Sequence, residues 1–163
     1  MVFFKEWGIV LIKIRQVISA DREILKRFVS NMIGDINREE VAAEVVEDFY
    51  SHEQYYVLVV EEQDVQGFAV LKFEPFEGAN GVAEIVWLGV GQQYRRHHVG
   101  TNLIKQIEDY ATAKGVRKVY IKTSPGNKIA VCFWIIQGYR FEARLLDFGG
   151  KGFDNYLLGK DLF

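Results

Sequence analysis

The sequence predicts a mixed α+β fold with a single central, mostly antiparallel, twisted sheet and helices on both faces of the sheet. Segments with strand and helix patterns follow the order β-α-α-β-β-β-α-β-α-β-β, so hairpins come early and β-α-β units come later. The chain has 163 residues, of which 49% are hydrophobic and 14% aromatic, enough to build one hydrophobic core. We therefore expect a single domain over residues 1–163, with residues 1–10 as an extension.

Three strands are predicted in the first part of the chain. Leu11–Val17 alternates apolar and polar residues, as a half-buried strand does. Tyr55–Glu61 and Gly67–Phe73 are rich in β-branched and aromatic residues, and a short polar segment separates them. These last two runs are expected to form a hairpin.

Two helices are predicted between the first strand and this hairpin. The first begins at Ser19 or Asp21, which are good N-cap residues, and Gly34-Asp35 ends it. The second carries apolar residues at helical spacing from Val41 to Tyr50, with glutamates elsewhere on its surface.

The later elements begin with the strand Val82–Val90, which a polar loop, Gln92–His98, connects to an amphipathic helix, Val99–Lys114. Gly115 is expected to end this helix. The remaining predicted elements are a strand, a short helix and two final strands, over Arg117–Thr123, Asn127–Gln137, Phe141–Leu146 and Asn155–Leu162.

Composition excludes several classes of protein. A single cysteine, Cys132, cannot form an internal disulfide, which fits a reducing cytoplasm. No apolar run reaches the length of a membrane span, and the first residues do not resemble a signal peptide. The net charge of −2 argues against a nucleic-acid partner. We expect a cytoplasmic protein without membrane or nucleic-acid partners.

Charge is nevertheless strongly polarised along the chain. Residues 34–84 carry a net charge of −11, whereas residues 85–163 carry one of +6. The acidic segment could attract a cationic partner and the basic segment an anionic one. An ordinary solvated acidic helix face would explain the first segment equally well.

Most of the candidate functional residues lie in Ala83–Thr101, where a strand leads through a basic loop into the start of a helix. Free amide groups and the helix dipole favour an anion at such a junction, and Arg95 and Arg96 add positive charge. A phosphate or pyrophosphate is the natural ligand, although an ordinary basic loop would have the same sequence. Gly89 and Gly91 indicate a bulge, a close approach to the backbone, or simply the start of the loop. A bulge would splay this strand, the fourth, from the fifth and leave a cleft at their C-terminal ends.

Three motifs in this region resemble the GCN5-related N-acetyltransferase (GNAT) superfamily. The strand A-E-I-V-W-L-G-V is similar to its acetyl-CoA strand. The loop Y-R-R-H-H-V-G-T is similar to its pyrophosphate loop R/Q-x-x-G-x-G/A. The segment from Asn127 to Tyr139 is similar to its N…A-x-x-F-Y-x-x-x-G-F helix. The order of the motifs and the order of predicted elements both match the superfamily.

The resemblance implies acetyl-CoA as co-substrate and assigns residues to it. The backbone of Leu88 and Val90 would pair with the pantetheine arm, and Asn127, Phe133 and Trp134 would lie along its far end. The pyrophosphate would be held by the loop residues, which are Arg95, Arg96, His97, His98, Val99, Gly100 and Thr101.

The sequence departs from the family pattern at two positions. His98 replaces the first loop glycine, and we expect a side chain there to be tolerable only with a negative φ. Trp134 replaces the tyrosine that often serves as general acid, and an indole cannot deliver a proton at neutral pH. Tyr139 or Tyr156 could take over that role, or the reaction could proceed without a general acid.

Glu84 is the candidate general base. It lies mid-strand among apolar residues, where desolvation would raise its pKa toward a useful range. In the histone-acetylating branch of the superfamily, a glutamate in a very similar E-I-V-F strand is the base. A solvated strand face is the alternative position for Glu84.

No metal site is expected, because adjacent loop residues such as His97 and His98 diverge and no further ligands follow at ligand spacing. Cys132 is expected to be a core thiol.

Together these features predict an acyl-CoA-dependent N-acetyltransferase in which a primary amine attacks acetyl-CoA directly in a ternary complex. The amine could be a small molecule or a peptide, and the acidic segment favours a cationic one. A homodimer is plausible for this class. Two alternatives remain, namely a catalytically idle acetyl-CoA sensor and a nucleotide- or phosphate-binding regulatory domain.

Overall fold

The computed structural model describes residues 3–5, 8–10, 13–33 and 37–163, and it has the predicted order of elements. A two-stranded antiparallel hairpin precedes them, with strands β1 (Phe3–Lys5) and β2 (Gly8–Val10). The remaining strands are β3 (Lys13–Gln16), β4 (Tyr55–Glu61), β5 (Val65–Phe73), β6 (Val82–Val90), β7 (Lys118–Thr123), β8 (Arg140–Leu145) and β9 (Asn155–Asp161). The α-helices are α1 (Arg22–Ser30), α2 (Arg38–Ser51), α3 (Val99–Ala113) and α4 (Lys128–Ile136).

Strands β3–β9 form one seven-stranded sheet in the order β3-β4-β5-β6-β7-β9-β8. The pairs β3–β4, β7–β9 and β8–β9 are antiparallel, and β6 pairs with β7 in parallel. The mostly antiparallel α+β class is thus confirmed. The β6-α3-β7 segment is a β-α-β unit, whose parallel strands require a long crossover connection.

The pairing between β6 and β7 is short. It covers Val82–Glu84 against Lys118–Tyr120, although β6 continues to Val90 and β7 to Thr123. The ladder thus ends at the Glu84–Tyr120 pair, as expected for two strands that splay apart.

The chain divides into two compact units. The first comprises residues 1–71 and 87–107, and the second comprises residues 72–86 and 108–163. Helices α1 and α2 pack together in the first unit through buried residues such as Leu25, Val29 and Val46. In the second unit β7 and β9 bury Val119, Ile121 and Leu158.

Several local expectations need correction. Cys132 is exposed, because α4 is apolar on every side and only one face of it is covered. Val41, the first residue of the apolar stripe predicted for the second helix, is also exposed, at 40%. Leu11 and the Gly34-Asp35 break lie outside the described residues. None of the described helices is long and apolar enough to cross a membrane.

A buried ion pair fixes the entry to α1. The Asp21 carboxylate is 4% exposed and accepts two hydrogen bonds from the Arg15 guanidinium, at 2.7 and 2.9 Å. It also accepts one from the Ile18 amide at 2.8 Å. Arg15 further donates to Glu61 on β4 at 2.8 Å. The bonds from Arg15 hold the pKa of Asp21 below its usual value.

We predict that Asp21→Asn lowers the free energy of unfolding by roughly 3 kcal/mol at pH 7, because one partner of a buried pair is lost. Glu61→Gln, the matched control, removes a more exposed partner of the same arginine and should cost much less. Because the pKa of Asp21 is lowered by folding, its contribution is present above about pH 4 and is lost as the pH falls through the folded-state pKa. Urea unfolding from pH 3 to 7 measures both effects. An equal gap between Asp21→Asn and wild type at every pH would contradict this account.

Candidate functional site

Strand β6 carries both parts of the predicted site, with Glu84 in its first half and Leu88 and Val90 near its end. Gly89 marks a close approach, because a Cβ there would lie 2.5 Å from Cε1 of Phe68 and 3.1 Å from Sδ of Met32. Only glycine fits this position without rearrangement. Gly91 is the first loop residue, and its amide donates to the Gln66 carbonyl at 2.9 Å.

Gly67 on β5, which the sequence analysis did not single out, lies against the end of β6. A Cβ there would lie 2.7 Å from the carbonyl oxygen of Gly89 and 3.1 Å from Cγ1 of Val99. Because Gly67 has no side chain, the end of β6 and the start of α3 can pack closely against β5. The available signal was a glycine inside a strand pattern.

The basic loop after β6 is exposed from Arg95 to His98. The Arg95 Nε donates to the Val90 carbonyl at 3.3 Å, which ties the loop to the strand end. Arg96 and His98 have φ values of 65° and 61°, in the left-handed region. The expectation of a negative φ at His98 was therefore wrong. The loop keeps a backbone suited to glycine, and histidine is one of the residues that tolerate it.

Helix α3 begins directly after His98, whose carbonyl accepts the first intrahelical bond from Asn102 at 2.9 Å. Val99 is buried, whereas Gly100 is only half-buried. The amides of Val99 and Gly100 have no acceptor within the helix. This arrangement can donate hydrogen bonds to an anion.

A cavity of about 750 Å³ lies within the same unit, between α1, the β4–β5 turn and the first loop residues after β6. Gln92, Gln93 and Tyr94 form part of its wall, and none of the predicted site residues lines it. The basic loop therefore starts at the edge of this cavity.

In the second unit, Glu84 is buried and held by two partners. It is 7% exposed, and its Oε2 accepts a hydrogen bond from the Tyr120 hydroxyl at 3.0 Å. Its Oε1 lies 3.1 Å from Nζ of Lys122. Burial and the neighbouring carboxylate raise the pKa of Tyr120, so its hydroxyl remains a donor. The structure thus places Glu84 in the buried environment that its sequence context favoured.

Tyr120 and Lys122 were not identified from the sequence. They reach Glu84 because the parallel register pairs Glu84 with Tyr120, and Lys122 follows on the same face of β7. Lys122 has a second contact, with its Nζ 4.8 Å from the ring centroid of Phe148.

Helix α4 contains the remaining predicted residues. Asn127 caps the helix, with its Oδ1 accepting from the Ala130 amide at 3.2 Å. Trp134 is 6% exposed and packs edge-on against two aromatic rings. Its ring centroid lies 5.3 Å from that of Phe133 and 5.0 Å from that of Tyr139. Tyr139 is 2% exposed, and burial raises its pKa. It is therefore a core residue, and the idea that it serves as a general acid is not supported.

Among residues 13–33 and 37–163, no group of three His, Cys, Asp or Glu side chains is arranged to hold a metal ion.

We predict that His98→Gly leaves the free energy of unfolding unchanged or raises it by up to about 1 kcal/mol. Relief of the left-handed strain is partly offset by the greater freedom of glycine in the unfolded chain. His98→Val should lower it by about 1 kcal/mol, because a β-branched residue strongly disfavours this region. Urea unfolding without ligand measures both variants. Equal stability of the two would show that the loop has another conformation.

Comparison with known proteins identifies the family of this chain. A model of the acetyltransferase (GNAT) family matches residues 22–139. The protein named "Probable N-acetyltransferase 14" from Xenopus tropicalis is 35% identical over 85 residues, which are 52% of this chain and 40% of that protein. The match thus spans less than half of that relative.

Solved structures share the fold. A GNAT-family protein from Desulfovibrio desulfuricans superposes with a TM-score of 0.82 at 22% identity, covering 94% of this chain and 100% of that one. Arabidopsis thaliana NAA60 in complex with a bisubstrate analogue gives 0.75 at 21% identity, covering 93% and 98%. Its acetyl-CoA complex gives 0.73 at 20% identity, with the same coverage. Because the family model extends from α1 through β6, the basic loop and α4, the chain belongs to the GNAT family of acetyltransferases.

Proposed function

We propose that residues 1–163 act as one acyltransferase domain that transfers an acetyl group from acetyl-CoA to a primary amine. The observation that carries this proposal is the junction from β6 to α3. There, a basic loop with left-handed backbone at Arg96 and His98 leads into the first turn of a helix, where the amides of Val99 and Gly100 have no acceptor within the helix. Acetyl-CoA offers a pyrophosphate for such a site, and a similar fold has been solved with acetyl-CoA bound.

In this proposal the backbone of Leu88 and Val90 pairs with the pantetheine arm as an added strand would. The amides from Arg95 to Thr101 hold the pyrophosphate, and the side chains of Arg95, Arg96 and His97 supply positive charge. The resemblance to the family assigns Asn127 and Phe133 to the far end of the pantetheine. It assigns Trp134 there as well, and this residue is buried and packs against Phe133 and Tyr139.

The reaction proposed is direct attack. The amine nitrogen bonds to the thioester carbonyl carbon, the carbon–sulfur bond breaks, and CoA departs as a thiolate. Backbone amides near Leu88 polarise the carbonyl. Before attack, the acceptor ammonium gives one proton to the Glu84 carboxylate, directly or through a water molecule. The second proton, which the nitrogen loses as the amide forms, is balanced by protonation of the departing CoA thiolate in solvent. The structure of NAA60 with a bisubstrate analogue supports a site that can hold both substrates at once.

Tyr120 and Lys122 position the base in this mechanism. The Tyr120 hydroxyl fixes Oε2 of Glu84, and the Lys122 ammonium compensates its charge at Oε1. A buried carboxylate without such partners would be strongly destabilising. The two residues thus hold both oxygens of the buried carboxyl group in place.

The first functional prediction concerns the pyrophosphate loop. Gly100→Asp should abolish the thermal stabilisation produced by CoA, because it places a carboxylate where the phosphates would bind. Gln106→Asp is the matched control, since it adds the same charge to an exposed position further along α3. A thermal shift with CoA, and with ATP for comparison, measures binding. Unchanged CoA stabilisation in Gly100→Asp would contradict the assignment, and equal stabilisation by ATP would favour a nucleotide-binding domain.

The second concerns the division of roles between Glu84 and Trp134. An amine with a pKa near 10 must lose a proton before attack, whereas departure of a thiolate with a pKa of about 8.5 costs only roughly 2 kcal/mol at pH 7. Glu84→Gln should therefore lower kcat about a hundredfold, and Trp134→Phe should lower it less than tenfold while keeping the limbs of the pH–rate profile.

These two variants are compared at saturating acetyl-CoA with one good amine, after CoA binding has shown that each is folded. A larger loss in Trp134→Phe would make the indole a participant at the thioester. Absence of turnover in wild type with a broad amine panel, despite CoA binding, would favour an acetyl-CoA sensor.

A further inference from the structure

The turn between β8 and β9, residues 146–154, is tightly organised. The Asp147 amide donates to Asp154 at 2.9 Å, and Asp147 itself accepts from the Gly152 amide at 2.6 Å. Two backbone bonds of 2.9 Å join Gly149 to Phe153 and Phe153 to Gly150. These bonds give the turn a defined conformation.

This organised turn presents large apolar side chains to solvent. Leu146, Phe148 and Phe153 are 71%, 54% and 70% exposed. Large exposed apolar residues that share one short turn can form a surface where another molecule binds.

The turn also reaches the proposed base. The ring of Phe148 lies 4.8 Å from Nζ of Lys122, and Lys122 is paired with Glu84 at 3.1 Å. One side chain thus connects the exposed aromatic group to the carboxylate that would receive the proton of the acceptor. A group attached to the reacting amine is therefore the natural occupant of this surface.

Charge near Glu84 gives no support to a polycation. The Lys122 ammonium already pairs with the Glu84 carboxylate, so this carboxylate has little charge left to attract a second ammonium of the acceptor. The pairing therefore does not favour the cationic acceptor that the charge of residues 34–84 suggested. The exposed side chains of the turn favour an uncharged, apolar substituent on the amine.

We infer that the acceptor is a primary amine carrying a large apolar group, which packs against Leu146, Phe148 and Phe153 while the amine faces Glu84. The inference rests on the proposed function and names its substrate class. Both a free arylalkylamine and the N-terminus of a peptide with a bulky apolar first residue have this chemistry.

The test measures kcat/KM for matched acceptors. The free amines are ethylamine, 2-phenylethylamine and spermidine, and the peptides are Gly-Gly amide and Phe-Gly amide. We expect 2-phenylethylamine or Phe-Gly amide to exceed its small counterpart by at least tenfold, and spermidine to be poor. The acceptor pair with the larger ratio of kcat/KM values shows whether the amine belongs to a free small molecule or to the N-terminus of a peptide.

Phe148→Ser and Phe153→Ser should each reduce this preference several-fold, mainly through KM of the apolar acceptor. Phe163→Ser is the matched control, since Phe163 is an aromatic residue outside the turn and is at least as exposed, at 76%. Its preference should equal that of wild type.

Other outcomes would overturn the inference. Equal or better turnover of ethylamine or spermidine would refute the apolar acceptor and leave acetyl transfer intact. A loss in Phe148→Ser that is the same for every amine would show that the turn acts only through Lys122. A wild-type dimer that dissociates in Phe148→Ser would assign the surface to a second copy of the chain. No turnover of any amine by a chain that binds acetyl-CoA would refute the proposed function itself.

Discussion

The short pairing between β6 and β7 is the constraint on which the proposed site depends. Both strands begin side by side, and their ladder ends after three residue pairs, at Glu84 and Tyr120. Backbone groups of a strand need partners, so a strand that continues beyond its ladder is a place where another extended group can bind. Gly89 lies at this end of β6 and Gly67 packs against it, and neither position has room for a side chain without a shift of its neighbours.

The same pairing explains how a carboxylate can be buried in β6. Because the register sets Tyr120 opposite Glu84, the hydroxyl of Tyr120 and the ammonium of Lys122 reach the two carboxylate oxygens. Burying a carboxylate is costly unless it is paired and hydrogen-bonded. The fold and the proposed chemistry are thus linked. The last residue pair of the β6–β7 ladder, after which the strands separate, also brings Tyr120 and Lys122 to the proposed base, Glu84.

Much of the fold could be predicted from the sequence because its signals are local. The runs Tyr55–Glu61 and Val82–Val90 are dense in β-branched residues and bounded by turns, and both strands have these bounds. Other features depend on contacts between distant segments. Tyr120 could not be connected to Glu84 without the register of β7, and Cys132 could not be placed because α4 is apolar on every side. The left-handed φ of His98 opposes the preference of a residue with a side chain, so local rules gave the wrong sign.

Amide hydrogen exchange with and without CoA tests the central claim, that the end of β6 and the start of α3 bind the cofactor through their backbone. Exchange reports the local protection of each amide group. The account predicts that CoA slows exchange at least tenfold in peptides covering residues 88–101, whereas the same concentration of ATP does not. Unchanged exchange over these residues in the presence of saturating CoA, or equal protection by ATP, would contradict it.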